Sequence, residues 1–429
     1  MVSRTGSVLL SQVADRTGLT GALTAGLAAL KQRRSGYEPG RVLRDLAVML
    51  ADGGDCLADL RGLRDQQLLF GEVASDSTAY RLIERIADHP ALLDAVRRAH
   101  AAARAVAWRL GVAPERITID QDATLVTAHS LKDGAAPQYK GGFGFAPMMV
   151  YLDESGEALA GVSRPGNRAA HNVADQLVAF EHALAQIPDG HARELPVLFR
   201  ADSAGACHEL IDRCRERGIG FSVGYGVIGR VQAAIRAVSE DAWVPALEQD
   251  GSERANGHVA ELSGLINLST WPEGTRLICR RERAHPGAQL SFSDHDGYRF
   301  QAFLTDQSDP DIAILERRQR QRARAEDHIR NDKDTGLSKL PFRDSEMNQV
   351  WLELVLIAHD LIRWTQILLL DGELAKAEPK RLRYRLLHVA ARLAFHARTA
   401  TLRLQANWPW RTELQRAFAR LATLPLPSG

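Results

Sequence analysis

The chain has 429 residues, of which 45% are hydrophobic and 25% charged, so it is long enough for two or three globular domains. A net charge of +1 argues against nucleic-acid binding through an overall basic surface, although basic charge can still be concentrated locally. The four cysteines are scattered with no C-x-x-C pair, so neither a zinc site nor a disulfide framework is indicated, and a reducing cytoplasm is expected. We find no signal pattern or bilayer-length apolar run and expect no membrane partner.

Residues 1–112 are predicted to form a helical N-terminal region that binds DNA. Apolar residues recur at helical spacing over 8–31, 41–50, 75–86 and 91–110, and Ser75 is a capping residue for the third segment. Residues 10–20 predict a helix, a turn and a second helix. That pattern suits a DNA-binding helix pair and a plain helical hairpin about equally well.

The hydrophobic period changes after residue 116. Runs at 117–119, 125–128, 141–151 and 159–162 predict an antiparallel meander. A helix at 171–185, a strand at 197–201, a helix at 209–217 and a strand at 220–224 are predicted next. This order is that of a ribonuclease H-like mixed sheet of the α/β class, and we expect the core to comprise residues 113–224 and 306–345.

Residues 225–305 interrupt this alternation and predict an inserted β-rich domain. Strand-like segments at 257–262, 276–281 and 298–304 alternate there with turn residues. A basic helix follows within 316–333, and residues 346–429 are predicted to be a helical C-terminal region. Its segments 347–370 and 381–404 each carry one strongly apolar face, which indicates packing rather than a site.

Three carboxylates occupy positions that suit metal-dependent phosphodiester chemistry. Asp122 and Asp202 each end a strand-like segment, and Glu326 lies in the basic helix. Two divalent ions roughly 4 Å apart activate the nucleophile and stabilise the leaving oxygen, and Mg²⁺ prefers such oxygen ligands. We therefore expect these three residues to hold two Mg²⁺ ions, with Mn²⁺ as a substitute. Asp120 faces the same side of its strand as Asp122 and is the alternative first ligand.

Several short motifs accompany these carboxylates. They are Asp120-x-Asp122-x-Thr124, Tyr139-x-Gly141-x-Phe143-Gly-Phe145, Arg164-Pro-Gly-Asn167, Arg200-Ala-Asp202-Ser-Ala-Gly205 and Arg322-x3-Glu326-x6-Lys333. In this combination the chain resembles the DDE transposases of bacterial insertion sequences over residues 8–425. It is most similar to the insertion-sequence 1380 family, in which a β-strand insertion precedes the glutamate helix.

The resemblance implies an enzyme that binds terminal inverted repeats, cuts DNA at the element ends and joins the 3′-hydroxyl ends to target DNA. Its catalytic residues and metal ligands would be Asp122, Asp202 and Glu326. Arg322 and Lys333 would contact double-stranded DNA, and the basic helix adds Arg318 and Arg330 as phosphate contacts. Synapsis of two ends implies a homodimer, and the expected location is the bacterial cytoplasm with its nucleoid. Gln319 replaces the tyrosine of the family pattern.

Two alternatives to a transposase remain at this point. The alternatives are a catalytically idle DNA-binding protein derived from a transposase and a ribonuclease H-like nuclease without strand transfer. Trp243 and Trp271, in the insertion, could provide a platform for a flipped base or a small hydrophobic core. Packing is the favoured interpretation for both rings.

Overall fold

The structure, a computed structural model, describes residues 1–31, 35–283, 294, 296–396 and 399–426. The middle of the predicted insertion (284–293 and 295) and residues 397–398 of the predicted last helix lie outside this part. The N-terminal region is helical, as predicted, and the Ser75 hydroxyl caps the sixth helix by accepting from the Thr78 amide (3.2 Å). The helices are α1 (Val8–Arg16), α2 (Leu19–Gly26), α3 (Pro39–Ala51), α4 (Arg61–Arg64), α5 (Gln67–Phe70), α6 (Asp76–Ala87) and α7 (Pro90–Ala107).

A mixed sheet follows these helices. Its elements and those of a small neighbouring sheet are β1 (Ile117–Ala123), β2 (Val126–Thr127), β3 (Ala136–Pro137), β4 (Phe143–Phe145), β5 (Met148–Leu152), β6 (Ala158–Val162), α8 (Val173–Leu184), α9 (Asp189–Glu194), β7 (Val197–Ala201), α10 (His208–Glu216) and β8 (Gly220–Tyr225). The strands are ordered β6-β5-β1-β7-β8, with β5 antiparallel to β1 and to β6, and with β7 parallel to β1 and to β8. The predicted ribonuclease H-like arrangement is confirmed. The short strands β2, β4 and β3 form a separate three-stranded sheet.

The strands of the predicted insertion extend this same sheet. The insertion contains α11 (Gly229–Ala237), β9 (Val244–Leu247), β10 (Glu253–Glu261), β11 (Arg276–Arg283) and β12 (Tyr298–Thr305). Strand β12 pairs antiparallel with β8, placing Leu304 opposite Val223, and the sheet continues through β11 and β10 to β9. In the part of the chain that the structure describes, nine strands are thus hydrogen-bonded in one sheet, and the insertion strands continue the sheet of the core.

The remaining residues form helices and one hairpin. They are α12 (Ile312–Arg320), α13 (Arg324–Asp332), α14 (Ser345–Leu369), α15 (Pro379–Leu382), β13 (Ala391–His396), β14 (Thr399–Leu404) and α16 (Arg411–Thr423). The helix predicted over 381–404 is therefore wrong beyond its first turns. Alternation in Thr-Ala-Thr-Leu-Arg-Leu suits a strand, and Ala391 also exchanges two backbone hydrogen bonds with Val2, each 2.9 Å long. None of the described helices is long and apolar enough to cross a membrane.

A buried polar network joins three parts of the chain. Arg104 of α7 contacts Glu157, just before β6, at 3.2 Å and Asp360 of α14 at 2.5 Å, and all three side chains are fully buried. The Asp360 carboxylate also accepts from the Ala158 amide (2.8 Å) and contacts the His100 ring (2.8 Å). Because buried charges are costly unless paired, this network fixes the N-terminal helices and α14 against the sheet.

Replacing Asp360 by Ala should lower the free energy of unfolding by about 3–5 kcal/mol, because the buried Arg104 guanidinium loses a carboxylate partner. The matched control is Asp371→Ala, which removes an exposed carboxylate paired with Arg420 and should change stability little. Urea unfolding followed by circular dichroism measures both variants. An Asp360→Ala protein as stable as the control would contradict the role of the network.

Candidate active site

Two of the three predicted carboxylates lie at one edge of the sheet. Asp122 is the penultimate residue of β1, and Asp202 directly follows β7. Because β1 and β7 are parallel neighbours, with Gln121 opposite Ala201, their carboxyl ends meet at the same edge. Glu326, in the first turn of α13, completes the set, and all three residues line one cavity of about 390 Å³.

Arg322 connects two of these carboxylates. Its Nη1 donates to Asp122 Oδ2 (3.0 Å), and its Nη2 donates to Glu326 Oε1 (3.2 Å), one helical turn further on. Asp202 is held locally, since its Oδ1 accepts from the Ala204 amide (2.9 Å). A single guanidinium thus offsets the repulsion between a strand carboxylate and a helix carboxylate.

The electrostatics of the cavity favour cations. Burial raises the pKa of Asp122, Arg322 acts to lower it, and the neighbouring charge of Asp202 raises it further. Burial opposes the charge on Arg322, but Asp122 and Asp202 outweigh that effect, so the pKa of Arg322 is raised. The concentration of negative charge around Asp122 and Asp202 therefore stabilises a positive group that lies next to them, as Arg322 does.

The three carboxylates would offer oxygen atoms as ligands, and hard divalent cations such as Mg²⁺ prefer oxygen ligands. The ligand oxygens of the three residues do not all lie within 4.8 Å of one another in this arrangement. The side chain of Glu326 is 64% exposed, so solvent rather than packed atoms surrounds much of it. The three residues present fit the expected metal.

Asp120 lies in different surroundings from Asp122. Its two carboxylate oxygens accept from Arg200 Nε (2.7 Å) and Nη2 (2.6 Å), and Arg200 also contacts Asp153 at 3.0 Å. Asp120 is 1% exposed and does not line the cavity. Burial raises the pKa of Asp120 to about 6, although Arg200 acts to lower it. Asp120 is thus the buried partner of Arg200 beneath the cavity.

The chain matches the model of the transposase DDE domain group 1 family over residues 1–426. It belongs to this family. A solved structure to which the chain is similar is the cryo-EM structure of the piggyBac transposase synaptic complex with hairpin DNA. The two share 10% sequence identity and align with a TM-score of 0.43, over 89% of this chain and 80% of that one. No curated protein matches the sequence.

In this DDE transposase the predicted DNA-binding residues are spread over more than one surface. Only Arg322 among them lines the cavity of the carboxylates. Arg318 bonds to Gln307 (3.1 Å), and Arg330 is exposed and paired with acidic neighbours, among them Asp327 (2.9 Å). Lys333 is half-buried, and burial lowers its pKa. The basic helix therefore presents its charges in several directions.

Gln319, where the family pattern has a tyrosine, contacts the strand that precedes Asp202. Its Nε2 donates to the carbonyl oxygen of Ala201, the last residue of β7 (3.1 Å). The sequence marked this position only as a departure from the pattern. In the structure it joins α12 of the DDE transposase to the end of the strand that positions Asp202.

Three further cavity-lining residues come from the two motifs to which the sequence analysis assigned no role, and a fourth, Arg168, directly follows the second motif. Tyr139 and Lys140 lie on the turn between β3 and β4, and Arg164 and Arg168 lie after β6. The signal for the first pair was the Gly141-Gly142 sequence, which adopts positive φ angles of 85° and 93° and so favours a tight turn. Tyr139 and Arg164 were recognised in the sequence only as members of motifs, and nothing in the sequence indicated that they line the same cavity as the carboxylates.

The two tryptophans of the insertion are packed. Trp243 is 8% exposed, with the Arg281 guanidinium 4.5 Å from its ring centroid. Trp271 is 9% exposed and stacks on His208, with ring centroids 4.1 Å apart. Both rings therefore have partners within the protein, which agrees with the favoured interpretation of packing.

A second acidic cluster lies outside the candidate active site. Asp55, Cys56 and Asp59 are the one group of three metal-ligating residue types in the described part of the chain whose ligand atoms all lie within 4.8 Å. Asp59 Oδ2 already accepts from the backbone amides of Asp55 (2.9 Å) and Cys56 (3.1 Å), and Lys339 contacts Asp55. Capping of the short helical turn Leu57–Leu60 explains this cluster without a metal.

The buried Asp120 should give the protein a pH-dependent stability. Its pKa is about 6 in the folded chain against an ordinary value of 3.8, so the folded state binds the proton more tightly. Stability relative to Asp120→Asn should therefore rise as the pH falls from about 7 to about 4, by roughly 3 kcal/mol in all. Urea unfolding of both proteins across this range measures the difference. A constant difference would contradict the burial effect.

Proposed function

We propose that this DDE transposase binds the terminal inverted repeats of an insertion sequence, cuts the DNA at the element ends and joins the 3′-hydroxyl ends to target DNA. We further propose that it is a member of the insertion-sequence 1380 family. The observation that carries the activity is the convergence of Asp122, Asp202 and Glu326 on one cavity from two neighbouring strands and a helix. Three mutually repelling carboxylates need an opposing charge, and divalent cations provide it.

In this proposal Asp122, Asp202 and Glu326 hold two Mg²⁺ ions, for which Mn²⁺ can substitute. Bound there, the metal would supply activation of a water or 3′-hydroxyl nucleophile and stabilisation of the leaving oxygen. Arg322 shifts from the carboxylates toward a DNA phosphate, which its planar guanidinium suits. Gln319 steadies the end of β7 and with it the position of Asp202.

The rest of the chain supports this role by binding and positioning DNA. We propose the N-terminal region (1–112) as the part that reads the terminal repeats, and Arg318, Arg330 and Lys333 as phosphate contacts. The proposed domain limits are the core at 113–224 and 306–345, the insertion at 225–305 and the C-terminal region at 346–429. Bringing two ends together calls for a homodimer in the synaptic complex. A nuclease without strand transfer and an idle DNA-binding protein remain the competing proposals.

Glu326→Gln should lower DNA cleavage at least about a thousandfold while leaving DNA binding largely intact, because an amide is a poor ligand for a divalent cation. Asp327→Asn, the next residue of the same helix, is the matched control and should keep near-wild-type activity, since that carboxylate is exposed and pairs with Arg330. The assay incubates each protein with Mg²⁺ and a duplex of the terminal repeat that flanks its coding sequence, and the DNA products are resolved by size.

The same assay separates the three functions. Cleavage followed by joining to a second duplex supports the transposase. Cleavage by the wild-type protein with no joined product would favour the plain nuclease. Binding without cleavage in wild type and variant alike would leave only the DNA-binding protein.

Two neighbouring substitutions distinguish the candidate first ligands. Asp122→Asn should weaken Mn²⁺ binding about tenfold or more, because Asp122 lines the cavity and Asp120 does not. Asp120→Asn should bind Mn²⁺ within a few-fold of wild type, since Arg200 already occupies both of its oxygens. Isothermal titration with Mn²⁺ measures both. Loss of binding in Asp120→Asn with retention in Asp122→Asn would reverse the assignment.

A further inference from the structure

An exposed aromatic ring lies at the candidate active site. Tyr139 is 76% exposed and is the only aromatic residue among the described residues that line the cavity of the three carboxylates. Lys140 follows it, with its Nζ 5.6 Å from the ring centroid. An exposed aromatic face beside a cation is suited to a flat, electron-rich partner that carries negative charge.

The turn that carries Tyr139 is held rigidly. The buried Gln138 side chain donates from Nε2 to the carbonyl oxygens of Val126 in β2 (3.0 Å) and Phe145 in β4 (2.9 Å), so it joins the turn to both of these strands. The backbone of Gln138 also accepts from the Gly141 amide (3.0 Å). Because the backbone of this turn is already ordered, binding to it loses little backbone conformational entropy, so the turn suits a binding role.

The motif that begins at Arg164 packs against the motif that carries Tyr139. The Ala146 amide donates to the Arg164 carbonyl oxygen (3.0 Å), and Arg164 Nε donates back to the Ala146 carbonyl oxygen (2.8 Å). A Cβ atom on Gly166 would lie 2.3 Å from the Gly144 carbonyl oxygen, so this close approach requires glycine. The two motifs therefore form one continuous wall of the cavity.

This wall is basic. Lys140 is exposed, and the Arg168 side chain is 46% exposed and pairs with Asp175 at 3.0 Å. Arg164 is 3% exposed and keeps one guanidinium nitrogen, Nη2, buried with no hydrogen-bond partner. Three cations against one acidic partner leave net positive charge beside the aromatic ring.

We propose that Tyr139, Lys140 and Arg168 form a binding site for one unpaired nucleotide of a DNA strand beside the three carboxylates. The base stacks on the Tyr139 ring, and Lys140 and Arg168 contact the adjoining phosphates. The site selects an unpaired nucleotide rather than a base sequence, because every base has a face that can stack and every nucleotide a phosphate. The inference rests on the proposed function, since it requires DNA in this cavity.

The test measures binding of the full-length protein, without divalent cations, to two duplexes that differ only at one end. One is blunt, and the other has a short single-stranded 3′ extension containing 2-aminopurine. Wild type should prefer the extended duplex, and Tyr139→Ala should reduce that preference about 5- to 100-fold. Tyr139→Phe should keep it. Tyr384→Ala, at a tyrosine that is 68% exposed and does not line the cavity, should also keep it.

Two further readouts separate this role from a structural one. Fluorescence of 2-aminopurine should change on binding wild type and Tyr139→Phe, and should stay constant with Tyr139→Ala. Lys140→Gln should lower the slope of log affinity against log salt concentration by about 0.7, the value for one single-strand phosphate. The assay is repeated with a terminal-repeat duplex and with an unrelated duplex. A preference seen only with the terminal repeat assigns the nucleotide to the element end, and a preference seen with both assigns it to DNA in general.

Equal preference for the extended duplex in wild type and Tyr139→Ala would overturn the stacking role. So would a Tyr139→Phe protein as impaired as Tyr139→Ala, since the ring would then not be the binding element. The wild-type protein could cut the terminal repeat while Tyr139→Ala keeps the full preference for the extended duplex. That result would contradict this inference alone and leave the proposed function standing. A wild-type protein that binds neither duplex would contradict the proposed function and this inference together.

Discussion

Repulsion between carboxylates at one edge of the sheet is the constraint on which the site depends. The parallel pairing of β1 with β7 brings Asp122 and Asp202 to the same edge, and α13 adds Glu326. Two arginines offset this charge in two layers. Arg200 neutralises the buried Asp120 beneath the cavity, and Arg322 bridges the carboxylates that line it. Asp120 is enclosed with Arg200, whereas Arg322 is proposed to give way to divalent cations.

A rigid scaffold surrounds this exchangeable layer. The Arg104–Glu157–Asp360 network ties the N-terminal helices and α14 to the sheet, and its charges are fully buried. The insertion strands continue the hydrogen-bonded sheet beyond β8, so β8, the neighbour of the strand that leads to Asp202, is not an edge strand. Such support matters because metal-dependent chemistry tolerates little movement of its ligands.

Local patterns predicted most of the core but not its long-range contacts. The strands that lead to Asp122 and Asp202 were predicted correctly, because each is short, apolar and bounded by turn residues. The succession of strands and helices along the chain then predicted the ribonuclease H-like arrangement. The hairpin of β13 and β14 was missed because the prediction followed the helical spacing of apolar residues over 381–404 rather than the alternation within 399–404, and the isolated bridge from Ala391 to Val2 has no local sequence signal. Helical spacing in residues 381–404 could not reveal that contact. The Arg322 bridge and the turn carrying Tyr139 also depend on three-dimensional packing.

The central claim is that Asp122, Asp202 and Glu326 share bound divalent metal. Localised backbone cleavage by hydroxyl radicals tests it most directly, with Fe²⁺ in place of Mg²⁺ and with ascorbate and peroxide as reagents. Three cut sites are expected in one protein, near residues 122, 202 and 326, and Mg²⁺ should suppress them by competition. Cuts confined to the neighbourhood of Asp55 and Asp59, or no localised cuts at all, would contradict it.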